Sequence, residues 1–122
     1  MSTGAMGRGD FALKINKSGN RLKVIAHEGS LSGPVAGRLT GRFIDRHTKL
    51  LVETLAVQSK YQPGLEVYLV RHCEINASLW QVSAIQVQAD ERQKFIFSAN
   101  GYYVVRNSDP KYPYKLEKAI RP

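Results

Sequence analysis

Apolar side chains recur at every second position over much of this chain. Phe11, Leu13 and Ile15 alternate with Ala12 and Lys14, and Leu22, Val24 and Ala26 alternate with Arg21, Lys23 and Ile25. Turn formers fill 16–20 between the two runs, so the pair predicts a β-hairpin. A loop centred on Gly33 and Pro34 follows over 29–37. From 38 to 44 two readings compete. Arg38, Arg42, Arg46 and Lys49 have the spacing of a basic helical stripe, whereas Leu39 and Phe43 alternate with Arg38, Thr40 and Arg42 as in a strand. Gly37 and Gly41 each cost a helix about 1 kcal/mol, which favours the strand. A turn over 45–49 then leads into a strand over 50–57. In either reading the arginines face away from the apolar residues.

The second half carries the same period. Leu65, Val67 and Leu69 alternate after a turn at 62–64, which predicts another strand. Trp80 and Val82 share one parity, while Ile85 and Val87 share the other, so a bulge is expected near 83–84. Phe95 and Phe97, then Asn100-Gly101, then 102–105 predict a hairpin with both phenylalanines in the core. Trp80, the sole tryptophan, is expected to anchor that core. Three prolines over 108–122 end the fold in irregular chain or a short strand. Together these segments predict an antiparallel β-sandwich of about seven or eight strands, with a closed small β-barrel as the alternative.

The length of 122 residues allows one domain, expected over 10–122. Residues 1–9 read as a cloning leader and disordered start. Both methionines, Met1 and Met6, lie there, and the natural sequence is expected to begin near 7–10 inside a larger chain. No apolar stretch reaches the roughly 20 residues of a membrane-spanning helix, and a lone cysteine excludes an internal disulfide framework. Absence of a secretory signal, with Cys73 unpaired, points to the cytoplasm, at most peripheral to a membrane.

Charge narrows the partners. The net charge is +8, and the excess is uneven, with ten basic and four acidic side chains in 1–60 against eight and six in 61–122. Such a field attracts anionic partners. The candidate anion-binding residues are Arg38, Arg42, Arg46 and Lys49, supported by Lys14, Arg21 and Lys23 on the outer face of the first hairpin. A basic residue near an anionic membrane contributes about 1 kcal/mol, so four to six would suffice for reversible docking.

Catalytic patterns are sparse. His27, His47 and His72 lack metal-site spacing, and His72, Cys73 and Glu74 alternate sides if they lie on a strand. Gly29-Ser-Leu-Ser-Gly33 misplaces the serine of a nucleophile elbow, and no phosphate-binding glycine motif is present. No catalytic residue, metal or cofactor is therefore assigned. An enzyme using Cys73 or a histidine stays open only through tertiary proximity.

The run Val67-Tyr-Leu-Val-Arg-His72, followed by Trp80, Ile85-Gln-Val87, Phe95-Ile-Phe97 and Tyr102, resembles the final third of a PLAT (polycystin–lipoxygenase–alpha-toxin) domain over 65–105. The early acidic turns of that family are missing, so its calcium binding does not carry over. The resemblance implies a sandwich that docks without catalysing. The resulting expectation is a non-catalytic module, not an enzyme, that recognises an anionic membrane surface or an acidic protein through its basic face. The alternative is a nucleic-acid-binding β-barrel that uses the same cations with exposed tyrosines.

Overall fold

The computed structural model describes residues 11–105 and 114–120. The first half follows the alternation: β1 (Phe11–Ser18) and β2 (Arg21–Glu28) form a hairpin, and β3 (Val35–Ile44) and β4 (Lys49–Val57) form the next antiparallel pair. After a single 3₁₀ turn at Ser59–Tyr61 come helix α1 (Gly64–Asn76), β5 (Ala84–Ala89), helix α2 (Glu91–Ser98), β6 (Tyr103–Val105) and β7 (Tyr114–Ala119). The strands make one seven-stranded sheet in the order β1-β2-β3-β4-β5-β7-β6. Its neighbours are antiparallel except β4 and β5, which run parallel and need the α1 crossover between them. The expected antiparallel sandwich, and the closed barrel with it, is corrected to a single mixed sheet with two helices.

Two local readings account for the correction. Over 64–76, Leu65, Leu69 and Cys73 are fully buried at i, i+4 and i+8, while Val67 is only half-buried. The segment thus obeys the helical period, which a short apolar run shares with a strand until burial separates them. Over 91–98, Asp90 caps a helix. Its carboxylate accepts from the Gln93 amide at 2.8 Å, and the Gln93 side chain accepts from the Asp90 amide at 3.2 Å. This reciprocal capping box fixes α2 where a hairpin strand was expected. Asn100-Gly101 then ends the helix instead of turning a hairpin. Gly101 adopts φ of 91°, and the amides of Tyr102 and Gly101 reach back to the carbonyls of Phe97 and Ser98 at 3.0 and 3.4 Å. That is the left-handed helix stop glycine favours. In consequence Phe97 is buried, but Phe95 is 67% exposed.

Cross-strand partners share a face, which separates the sheet into two sides. Leu22, Gly41, Val52, Val87 and Leu116 form one row, with Val24 and Leu39 in the next. These residues are buried beneath the helices, and a Cβ on Gly37 would approach Leu65 of α1 at 3.2 Å. The opposite row runs Ser18, Arg21, Arg42, Leu51, Gln86, Glu117 and Tyr103, and no helix among the described residues covers it. Trp80, expected to anchor the core and be largely buried, packs against it at its edge but is only half-buried, edge-on to Phe43 with ring centroids 5.9 Å apart.

Replacing Asp90 with alanine removes the α2 cap. The expected loss is about 1 kcal/mol of unfolding free energy in a denaturant titration, with an unchanged m-value.

Candidate active site where β4 and β5 part

The parallel pair is short. Lys49, Leu50, Leu51 and Val52 face Ala84, Ile85, Gln86 and Val87, after which β4 runs on to Val57 and β5 to Ala89 without pairing. A bulge coincides with the parting. Thr40 pairs with Thr54 and Gly41 with Val52, leaving Glu53 as the extra residue of β4. Bulges re-aim side chains and end pairing: Glu53 keeps the open-face side of Lys49 and Leu51, where Arg42 Nε donates to it at 2.7 Å, and Thr54, opposite Thr40, shares that face. Gly41 is required at this point, because a Cβ there would lie 2.7 Å from the Leu51 carbonyl oxygen.

Side chains of the two helices meet in the gap. Glu66, in the first turn of α1, is wholly buried, and Arg92 of α2 donates to both of its oxygens at 2.8 and 2.7 Å. Gln93 Nε2 donates to Glu66 at 3.0 Å and to the Leu55 carbonyl of β4 at 3.3 Å. The Leu55 carbonyl therefore points toward β5, and strand alternation turns the amides of Leu55 and Val57 the same way. The hydrogen bonds to Glu66 also hold the Arg92 guanidinium above its ordinary pKa. Pro63 offers α1 no side-chain cap, and Val67 makes the first amide bond back into the turn, to the Pro63 carbonyl at 3.2 Å. The amides of Gly64, Leu65 and Glu66 precede that bond and are the ones a helix start leaves without an internal acceptor.

On the open face, β5 contributes Gln86. Its Nε2 donates to Glu117 at 2.7 Å, while its buried Oε1 has no donor among the described residues. Gln86 lies opposite Leu51, in the same row as Arg42.

The residues singled out from sequence gather in part. Register places Lys14, Arg21, Lys23, Arg38 and Arg42 on the open face of β1 to β3. Lys49 joins that face on β4, 3.6 Å from Glu117 and 3.7 Å from Asp45. Arg46 does not join them, since it occupies the β3–β4 turn at φ of 58°. Glu53, Glu66, Arg92 and Gln93 escaped the sequence reading. Asp90-x-x-Gln93 was the available signal for the α2 pair, whereas nothing local marks the bulge at Glu53. His72, Cys73 and Glu74 lie on α1, not on a strand. The described residues contain no cluster of three or more His, Cys, Asp or Glu placed to hold a metal. Tyr102 is buried and Tyr103 exposed, and burial followed by the Glu74 carboxylate raises the Tyr102 hydroxyl pKa.

No known family profile matches the chain, and no curated protein matches it in sequence. Solved structures do match. A GNAT-family acetyltransferase from Staphylococcus aureus superposes with a TM-score of 0.70 at 9% identity, over 83% of this chain and 69% of that one. Aminoglycoside 6'-acetyltransferase type Ii gives 0.69 at 17%, over 84% and 71%. N-acetylglutamate synthase from Neisseria gonorrhoeae, solved with coenzyme A and N-acetyl-glutamate, gives 0.65 at 14%, over 82% of this chain but 26% of its own. At these identities the likeness is one of fold, and the fold is the GNAT fold. The PLAT resemblance over 65–105 is overturned, since α1 and α2 occupy the matched segment. The expected non-catalytic docking module is overturned with it, as are its anionic-membrane, acidic-protein and nucleic-acid partners, because these structural neighbours are acetyltransferases. No helix of the described residues is long and apolar enough to cross a membrane.

Burial, then the Glu74 carboxylate, pushes the Cys73 thiol up to about 12. At pH 8 it stays protonated, so it should resist a thiol-labelling disulfide reagent in the native protein and react fully once unfolded. Rapid native labelling would show that α1 opens readily.

Proposed function

We propose that this chain transfers an acyl group from a coenzyme A thioester to an amine. The observation that carries the reading is the parting of two parallel strands, with Glu53 bulged at the mouth and the Leu55 carbonyl turned inward. Adjacent parallel strands bind ligands beyond their carboxyl ends. Among the structural neighbours, the synthase is described as a complex with coenzyme A, which supports the donor class.

The groups on this chain fit such a donor. Its extended arm carries amides, and the inward edge of β4 offers them a carbonyl at Leu55 and amides at Leu55 and Val57, the pattern by which an extended segment joins a sheet. The start of α1 presents backbone amides toward a phosphate, as helix N-termini do. Arg92, with its side chain 42% exposed, lies beside them and neutralises the Glu66 carboxylate that would otherwise repel an anion. Gln93 already hydrogen-bonds Leu55 as an incoming amide would, so the arm must displace its carboxamide.

The bound thioester supplies an activated acyl carbon. Glu53 does the work on the acceptor side: its carboxylate takes the proton of the incoming ammonium group, and the freed amine can then attack. The C–N bond forms and the C–S bond breaks; the proton that the cationic nitrogen sheds as the amide forms passes to the departing sulfur, a thiolate whose ordinary pKa near 8.5 lets it take that proton up. Arg42 fixes the direction of the Glu53 carboxylate.

The reading is tested by thiol release from acetyl-coenzyme A with an alkylamine acceptor, alongside calorimetric titration with coenzyme A. Absence of both binding and turnover would overturn it. Glu53→Gln should lower kcat about a hundredfold. Because raising the pH deprotonates the amine without help, part of that loss should return as pH approaches the amine pKa near 10. Gln93→Ala should bind coenzyme A several-fold more tightly, since no internal amide competes for Leu55. Weaker binding by a folded variant would make Gln93 a contact for the donor instead.

A further inference from the structure

The proposed chemistry leaves unused a pocket of about 230 Å³ on the open face of the sheet, lined by Asn16, Ser18, Arg21, Leu22, Lys23, Thr40 and Gly41. Register explains why these side chains converge. Asn16, Lys23 and Thr40 are cross-strand partners in one row, and Ser18 and Arg21 belong to the next. Every polar side chain of the lining carries a hydrogen-bond donor, two of them are cations, and no carboxylate is among them. Arg21 stands directly opposite Arg42. Like charges facing each other across a strand pair repel, and Glu53 answers only Arg42. Among the described residues no acidic side chain answers Arg21. The polar donors of the pocket therefore suit an anionic group small enough to lie on three strands, with an apolar stem against the rest of the lining.

Its position gives that group a role. Thr40, on the pocket wall, pairs with Thr54, the residue after Glu53. Lys23 of β2 thus stands two strand spacings, or about 10 Å, from the β4 backbone beside the proton acceptor. We infer that the pocket formed by Arg21, Lys23, Thr40, Ser18 and Asn16 binds the anionic end of the acceptor, so that the substrate class is an amine carrying a carboxylate or phosphate several bonds from its nitrogen. This rests on the acyl-transfer reading and adds the acceptor's identity to it. Arg21 and Lys23 set specificity: they hold the anion while the chain between its two ends crosses β3 and delivers nitrogen to Glu53. Both cations are exposed, so the attraction weakens with added salt.

The test compares hexylamine, 6-aminohexanoate and 6-aminohexyl phosphate as acceptors with acetyl-coenzyme A. At low salt at least one anionic amine should exceed hexylamine in kcat/KM by about tenfold, the effect of one charge-assisted hydrogen bond. The larger of the two effects identifies the preferred anion. Arg21→Ala combined with Lys23→Ala should erase the preference by raising KM, and Arg21→Lys should restore most of it. Equal rates for all three amines, or a preference that survives the double substitution, would overturn the inference while leaving acyl transfer standing. A second readout needs no donor: titrating each amine while following the backbone amide resonances of Lys23 and Thr40. Shifts with the anionic amines alone, without turnover, would keep the pocket and remove the acyl-transfer reading. No shifts and no turnover would remove both.

Discussion

The buried carboxylate of Glu66 is the contact on which the arrangement around the gap depends. A fully buried anion is tolerable only where its hydrogen-bonding capacity is filled. Glu66 meets that demand with two bonds from Arg92 and one from Gln93. Because its donors lie on α2 and Gln93 continues to the Leu55 carbonyl, satisfying Glu66 fixes the starts of both helices against β4. Capping contributes to the same end, since the box that begins α2 also orients the Gln93 side chain. One desolvated charge thus joins three elements that the hydrophobic core alone would hold only by shape.

That cluster also explains why β4 and β5 can part without collapsing. Strand edges left unpaired inside a protein must find other partners. Gln93 supplies one for Leu55. On the far side of the bulge, β4 remains paired with β3 down to Gly37 opposite Val57, so the strand stays anchored while its other edge opens. The gap is held between a hydrogen-bonded sheet on one side and a filled ion pair on the other.

The sheet's two faces divide the labour. The helix-covered face carries the contiguous core, from Phe11 and Leu22 through Val52 and Val87 to Leu116. The open face is built from cross-strand polar contacts: Arg42 with Glu53, Lys49 with Glu117, and Gln86 with Glu117. Exposed ion pairs of this kind add little stability. Their value lies in orientation, for they aim Glu53 and leave Gln86 with an unfilled acceptor. Lys14, Arg21, Lys23, Arg38, Arg42 and Lys49 lie on the same face.

From its sequence alone the chain determined the hairpin of β1 and β2, the strand character of β3 and β4, and the outward side of their basic residues. Those depend on period-two alternation and turn residues, which act over a few neighbouring positions. Tertiary structure decided the rest. Leu65, Val67 and Leu69 satisfy a strand pattern as well as the start of a helix, and only packing against Gly37 and the sheet selects the helix. Asn100-Gly101 suits a hairpin turn or a helix stop, and the choice falls with the Asp90 cap ten residues earlier. The parallel contact that creates the gap joins residues 35 positions apart, and β5 meets β7 across 25 to 35. Glu53 looks like one more acidic residue on a strand, and only the one-residue register shift against β3, where β4 leaves β5, sets it apart. Glu66 and Arg92 read singly as surface charges. Glu66 becomes a buried carboxylate held by a half-exposed Arg92 because the crossover helix brings their elements together, a long-range consequence of topology that no local pattern encodes.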